Sequence, residues 1–206
     1  MARYTGPRNR LSRREGVDIG LKTVGSKSHA GLLRKLNVPP GQHGQKGKRK
    51  VTGYGVQLRE KQKVKRMYQV LEKQFRIAFA KSKKDVGNTG NKLIEHMERR
   101  LDNVIYRLGL APTRPSARQF ISHGHVLVNT KKMSIPSYEV QVGDVIVYKQ
   151  KVLELPVIKK MLEDKAYQPP AWLERKGPVG KVIRAPERTE VTEDINEQLI
   201  VEYYSR

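Results

Sequence analysis

The 206-residue chain has five histidines and no cysteine, so thiol nucleophiles, disulfides and Cys-ligated metal sites fall outside its chemistry. His123 and His125 form a close pair. They could be two metal ligands, which would need a third ligand and a supporting shell. They could instead contact a phosphate or base from a turn beside Arg118, and we favour that reading. His43 lies between glycines in PPGQHG, where the backbone can bend and pass close to another chain. The acids before residue 93, Glu15, Asp18, Glu60, Glu72 and Asp85, form no recognisable catalytic motif. We therefore assign no catalytic residue, no metal and no cofactor. What remains is the chemistry of cations and aromatic rings against a polyanion.

The charge is large and one-sided. Lys and Arg number 42 against 20 Asp and Glu, a net +22. Residues 1–92 carry 24 basic residues and 5 acids, a net +19; residues 93–151 carry +4 and residues 152–206 carry −1. Such asymmetry requires a polyanionic partner. Nucleic acid is favoured over a membrane surface because the basic half has no strongly apolar helix to face lipid. No apolar run approaches the roughly 18–20 residues of a membrane span. The opening MARYTGPRNRLSRREG is basic but lacks the apolar core of an export signal. Candidate RNA contacts in the first stretch are Arg3, Tyr4, Arg8, Arg13, Arg14, Gln42, His43, Lys46, Lys48, Arg49, Lys50 and Tyr54. Aromatic and imidazole rings, His29 among them, interleave there with cations and can stack on bases.

Residues 1–55 offer few apolar side chains and should be mostly extended, with short helical turns at Leu11–Glu15 and Ala30–Leu36. Such a stretch is either a solubilising tail or an arm ordered on RNA, and the interleaved rings favour the arm. From Val56 the pattern turns helical, with Val64, Met67, Tyr68, Leu71, Phe75 and Ala78 on one side. Gln57, Arg59, Lys61, Lys63, Lys65 and Arg66 continue the polar, mostly basic field and join the candidate contacts. After a break at KKDVGNTGN, where Asn88 or Thr89 can cap, one helix should run through Leu93, Met97, Leu101, Val104 and Leu108 to Gly109. Thr113 can cap a shorter helix that buries Ala117, Phe120 and Ile121 and carries Arg114 and Arg118 on its other side. Short strands should follow at 125–129, 133–136, 138–141 and 145–148, with turns at 130–132 and 143–144. A helix is expected over 157–166, then a proline-broken stretch with Trp172. A further helix over 196–204 should dock on the helical core of the first half, making the middle block an insertion.

The run ERRLDNVIYRLGLAPTRPSARQFISHGHVLVN resembles the small RNA-binding fold typified by the fourth protein of the small ribosomal subunit, also found in pseudouridine synthases and some tRNA synthetases. Arg100, Asp102, Asn103, Arg107, Thr113, Arg114, Arg118, Gln119, Ser122 and His123 fall on matching positions. The resemblance implies that several contact phosphates or hold the residues that do, with His125 beside them. Asp102 is expected to partner an arginine, since a carboxylate repels phosphate. The flanks MARYTGPR, LSRREG, PPGQHG, YGVQLREKQKVKRMYQVLEKQFR, GNTG and DINEQLIVEYYSR look like the bacterial and organellar form of that ribosomal protein family. Some members carry a zinc-binding cysteine cluster near the N-terminus, from which this chain departs.

The fold expected is α+β and mainly α. A basic extended region covers 1–55, a helical domain covers 56–92 and is completed by 163–206, and a small RNA-binding domain covers 93–162. The resemblance implies a structural constituent of the small subunit, on cytoplasmic or organellar ribosomes. It would be a primary binder of the ribosomal RNA 5′ region that nucleates assembly. It would also touch the fifth protein of the subunit, line the passage by which messenger RNA enters, and contribute to translational accuracy. The competing readings are an RNA-modifying enzyme, which would need a catalytic domain for which no segment remains, and a free RNA-binding regulator.

Overall fold

Ser26, Thr52, Thr113 and Asn196 each accept a backbone N–H from three residues further on, and each begins a helix. The computed structural model describes residues 4–46, 50–163 and 167–205. In chain order the elements are α1 (Arg8–Glu15), α2 (Lys27–Leu33), α3 (Gly53–Met67), α4 (Glu72–Ser82), α5 (Thr89–Glu98), α6 (Leu101–Arg107) and α7 (Arg114–Ser122). Strands β1 (Val126–Val128), β2 (Lys131–Met133) and β3 (Val145–Tyr148) follow, then α8 (Gln150–Leu153) and α9 (Pro156–Glu163). Strands β4 (Leu173–Lys176) and β5 (Val179–Val182) precede α10 (Glu197–Tyr204). The fold is α+β and mainly helical. The chain divides into two compact units, Met1–Gly90 with Glu193–Arg206, and Asn91–Thr192.

In the first unit the basic N-terminal stretch is more folded than its composition suggests. Leu11, Ile19, Leu21 and Leu32 are buried, and α1 and α2 pack together. The helical turns expected at Leu11–Glu15 and Ala30–Leu36 fall on α1 and α2, which are longer at their N-terminal ends and packed together by four well-spaced aliphatic residues, so only the mostly extended character of this stretch is corrected. The helical run after Val56 is also broken. Gln69 adopts a left-handed φ of 53°, ending α3 before α4 starts. Val64, Met67, Tyr68 and Phe75 are buried, whereas Leu71 is exposed. Helix α10 packs against α3. Tyr204 stacks on Phe79 at 4.6 Å between ring centroids, and Gln57 donates to Glu202 at 2.8 Å.

In the second unit the single helix expected over 93–108 is two. Arg100 is extended (φ −67°, ψ 135°) between α5 and α6. The N–H groups of Leu101 and Asp102 donate to the Tyr138 and Pro136 carbonyls, and the Val140 N–H donates to the Arg99 carbonyl. Residues 136–140 thus take backbone bonds that a continuous helix would keep, and 138–141 forms an isolated bridge at Glu139 instead of a strand. The β1–β2 hairpin turns at Asn129-Thr130, both at positive φ (48° and 71°), one residue earlier than expected, as a two-residue turn requires. Asn129 fixes it by donating to Asp144 at 2.7 Å and accepting the Val145 N–H at 2.9 Å.

The five strands run β2-β1-β3-β5-β4, all antiparallel. Of residues 163–206, expected to complete the helical domain, only Glu193–Arg206 belongs to the first unit; β5 pairs with β3 and extends the second unit's sheet. An added Cβ at Gly180 in β5 would meet the Leu108 side chain, so glycine there lets helix and sheet close. Leu101, Val104, Ile105, Leu108, Ile121, Val126, Ile146 and Trp172 belong to one core cluster.

Candidate nucleic-acid interface

Many of the cations singled out by type and spacing already hold partners within the chain. In the second unit Arg100, Arg107, Arg114 and Arg118 are only 4–8% exposed. Arg100 pairs with Asp102 at 2.8 Å, as expected for that carboxylate. Glu98, on α5, accepts from Arg107 at 2.8 and 3.0 Å and from the Asn103 amide at 2.8 Å. Asn103 in turn accepts from Arg114, whose guanidinium lies 4.5 Å from the centre of the Tyr106 ring. Arg114 and Arg118, expected on the side of α7 away from Ala117, Phe120 and Ile121, are both buried, Arg114 because an amide and a ring replace its water. Thr113 is occupied in capping α7.

The exposed candidates of this unit are Gln119, Ser122 and His123, with His125 half-buried. The two imidazoles are 5.8 Å apart and edge-to-face. Lys131 and Lys132 are exposed in β2 and were missed by the sequence reading, which placed them in a turn. Their signal was the pair of lysines directly after a two-residue hairpin turn. Lys132 lies across Gly124, so α7 and the hairpin present polar and cationic groups together.

In the first unit each of two carboxylates is shared by two cations. Glu72 accepts from Lys61 and Lys65, each at 2.8 Å, and from the Tyr204 hydroxyl at 2.9 Å. Burial pushes the Glu72 carboxyl upward, but the hydrogen bonds from Lys61, Lys65 and Tyr204 outweigh it and hold the group at about 2. Lys61 is almost fully buried, with its ammonium 4.5 Å from the centre of the Tyr203 ring. Glu15 accepts from Arg66 and, at 3.5 Å, from Arg59. Its burial raises the carboxyl despite the pull of those arginines. Lys63 pairs with Glu60, and Gln57 is buried against Glu202. Arg13 donates to the Val38 and Pro39 carbonyls at 2.9 and 3.1 Å, pinning the start of the PPGQHG segment.

Tyr4, Arg14, Gln42, His43, Lys46, Lys50 and Tyr54 are exposed, and Arg8 is half-exposed. Arg3, Lys48 and Arg49 lie outside the described residues. A cleft of about 310 Å³ brings Arg13 and Gln42 together with Gln45 and Lys35; the last was not singled out by sequence. Cations and amides converging on one cleft suit phosphate oxygens. Among the described residues no group of three or more His, Asp or Glu could hold a metal ion, and no helix is long and apolar enough to cross a membrane.

Residues 3–98 match the family model described as the ribosomal protein S4/S9 N-terminal domain, and residues 99–146 match the S4 domain. The chain is 46% identical over 207 residues to the small ribosomal subunit protein uS4 of Brevibacillus brevis. It is 48% identical over 211 residues to that of Desulforamulus reducens and 48% over 208 residues to that of Parabacteroides distasonis. In all three cases the whole of both chains is covered.

Proposed function

The chain belongs to the uS4 family of small ribosomal subunit proteins, and on that premise we propose that it is a structural constituent of the small subunit that binds its ribosomal RNA. The observation that carries this reading is identity of 46–48% over the whole chain to relatives of that name. The charge distribution supports it: 24 cations and 5 acids before residue 93 make a surface for phosphates. Contacts are spread over both units. In the first they come from Arg14, Lys35, Gln42, His43, Lys46, Lys50 and Tyr54, and in the second from Gln119, Ser122, His123, Lys131 and Lys132. Arg100, Asn103, Arg107 and Arg114 act one step back, holding the surface that carries those groups. Its work is binding rather than catalysis.

The finer reading is that this chain binds ribosomal RNA early and nucleates assembly. It would then touch the fifth protein of the subunit, help line the entrance for messenger RNA, and influence accuracy, on cytoplasmic ribosomes. Lys46 and the residues after it supply several weak contacts that hold a strand without reading its sequence. The test is sedimentation in high salt: the protein should travel with small subunits, and a protein found only in free fractions would overturn the assignment. Replacing Lys46, Lys48 and Arg49 by alanine should leave subunits assembled but slow passage through structured messenger. Loss of assembled subunits would assign those residues to assembly instead.

A further inference from the structure

A cavity of about 160 Å³ lies in the first unit, lined by residues of α1, α3 and the α3–α4 junction. Leu11, Val70 and Leu71 supply its apolar lining and Tyr4 an aromatic wall. A void of about 150 Å³ with an apolar lining is large enough to accept a six-membered aromatic ring. Two further features show that this cavity is built rather than left over.

The first is the end of α3. The Gln69 N–H bonds to the Arg66 carbonyl at 3.1 Å and the Val70 N–H to the Lys65 carbonyl at 3.0 Å. This is the two-bond helix ending whose left-handed residue is usually glycine. Here glutamine occupies it at φ 53°, a conformation that costs any residue with a Cβ. Gln69 lines the cavity, as does Gln62. Glutamine in that left-handed position brings a polar side chain to the cavity wall where glycine would bring none. The second feature is Tyr4. An added Cβ at Gly6 would lie 2.5 Å from the Tyr4 hydroxyl, so the ring is folded back over Gly6. Glycine at position 6 gives that ring its place.

The rim is cationic. Lys65 and Arg66 line the cavity, and each shares its carboxylate with a second cation, Lys61 at Glu72 and Arg59 at Glu15. Each group of three therefore keeps one uncompensated positive charge.

We propose that this cavity receives a single unstacked nucleobase of the bound ribosomal RNA. The base lies against Tyr4 and the aliphatic lining, its edge meets the amides of Gln62 and Gln69, and its flanking phosphate sits by Arg66 and Lys65. An aliphatic or aromatic side chain of a neighbouring protein would use the apolar lining but neither the amides nor the paired positive charge. The site rests on the ribosomal RNA reading and adds to it a base-specific subsite within an otherwise electrostatic surface.

The test uses the full chain and small-subunit ribosomal RNA carrying randomly placed abasic sites, partitioned into bound and free at one salt concentration. At one nucleotide, loss of the base should weaken wild-type binding about tenfold, in keeping with a stacked base. Gln69→Gly and Tyr4→Leu should bind intact RNA about tenfold more weakly and lose sensitivity at that same nucleotide. Gln69→Gly should melt at or above the wild-type temperature, because glycine relieves the left-handed position. An interference pattern identical in wild type and both variants would remove the pocket while leaving RNA binding in place. Wild-type protein that fails to bind the RNA at all would take both readings down together. A photo-crosslinker at position 4 that labels protein and not RNA in assembled subunits would also overturn the proposal.

Discussion

The two units use the same cations in opposite ways. In the second, acids and bases meet in balance: Arg100 with Asp102, and Arg107 with Glu98, all buried. In the first, acids are outnumbered and two of them are oversubscribed, Glu72 by two lysines and Glu15 by two arginines. Balanced pairing converts arginine into scaffold, since a buried guanidinium with its carboxylate in place offers little to phosphate. Oversubscribed pairing positions lysines and arginines without neutralising them. An arginine count alone therefore overstates the guanidinium surface left for phosphate in the second unit.

The sharpest way to break this contrast is Glu98→Ala. It takes the carboxylate from buried Arg107 and one of two acceptors from the Asn103 amide, which keeps the residue 98 carbonyl, and should cost about 3–5 kcal/mol in urea unfolding. A change within experimental error would mean the buried network is worth no more than a surface pair. Leu101→Ala, at a fully buried core position, should cost about 2–5 kcal/mol and serves as the purely apolar reference.

Glu72→Gln probes the oversubscribed side. The Glu72 carboxyl falls from 4.5 unfolded to about 2 folded, so its contribution is complete above pH 4.5 and is lost as pH falls towards 2. The Glu72 side chain is 42% exposed, and water screens the interaction to about 1 kcal/mol. Unfolding measured between pH 5 and 2 should show a flatter acid limb in the glutamine variant. The smallest stability effects belong to the exposed cations. Arg14→Ala and Lys132→Ala should each shift stability by less than about 0.5 kcal/mol. Each should also reduce the steepness of the salt dependence of RNA binding by about 1 in log–log slope. Arg118→Ala, at a buried position, should lower the melting temperature where Lys132→Ala does not.

Much of the architecture was readable because it rests on local rules. Thr113 caps α7, Asn88 accepts the Gly90 N–H at the start of α5, and the apolar period marked Leu101, Val104, Ile105 and Leu108 as core. The break at Arg100 was not readable, because the same period continues on both sides of it and the competing carbonyls come from residues 136–138. Strands β4 and β5 escaped notice because LERK and VGKV are short and charged, and only pairing with β3 makes them a sheet. The site was less legible than the fold. Arg107 and Lys132 are both cations in a basic chain, and only the position of Glu98 across the α5–α6 break separates scaffold from surface.

The docking of α10 on α3 has a consequence in time. Gln57 and Glu202 are 145 residues apart, and Glu72 and Tyr204 are 132 apart. At about 5–20 residues per second, the partner of Gln57 leaves the peptidyl-transfer centre about 7–30 seconds after Gln57 itself. Every residue of the second unit has been made by then, so that unit can close before the first has all its residues, although its sequence starts later. Throughout this interval the α3 face that later receives α10 stands uncovered in the most basic part of a nascent chain. Protease applied to stalled chains of increasing length should find residues 91–192 resistant while α3 is still cleaved, with α3 becoming resistant only once α10 has emerged.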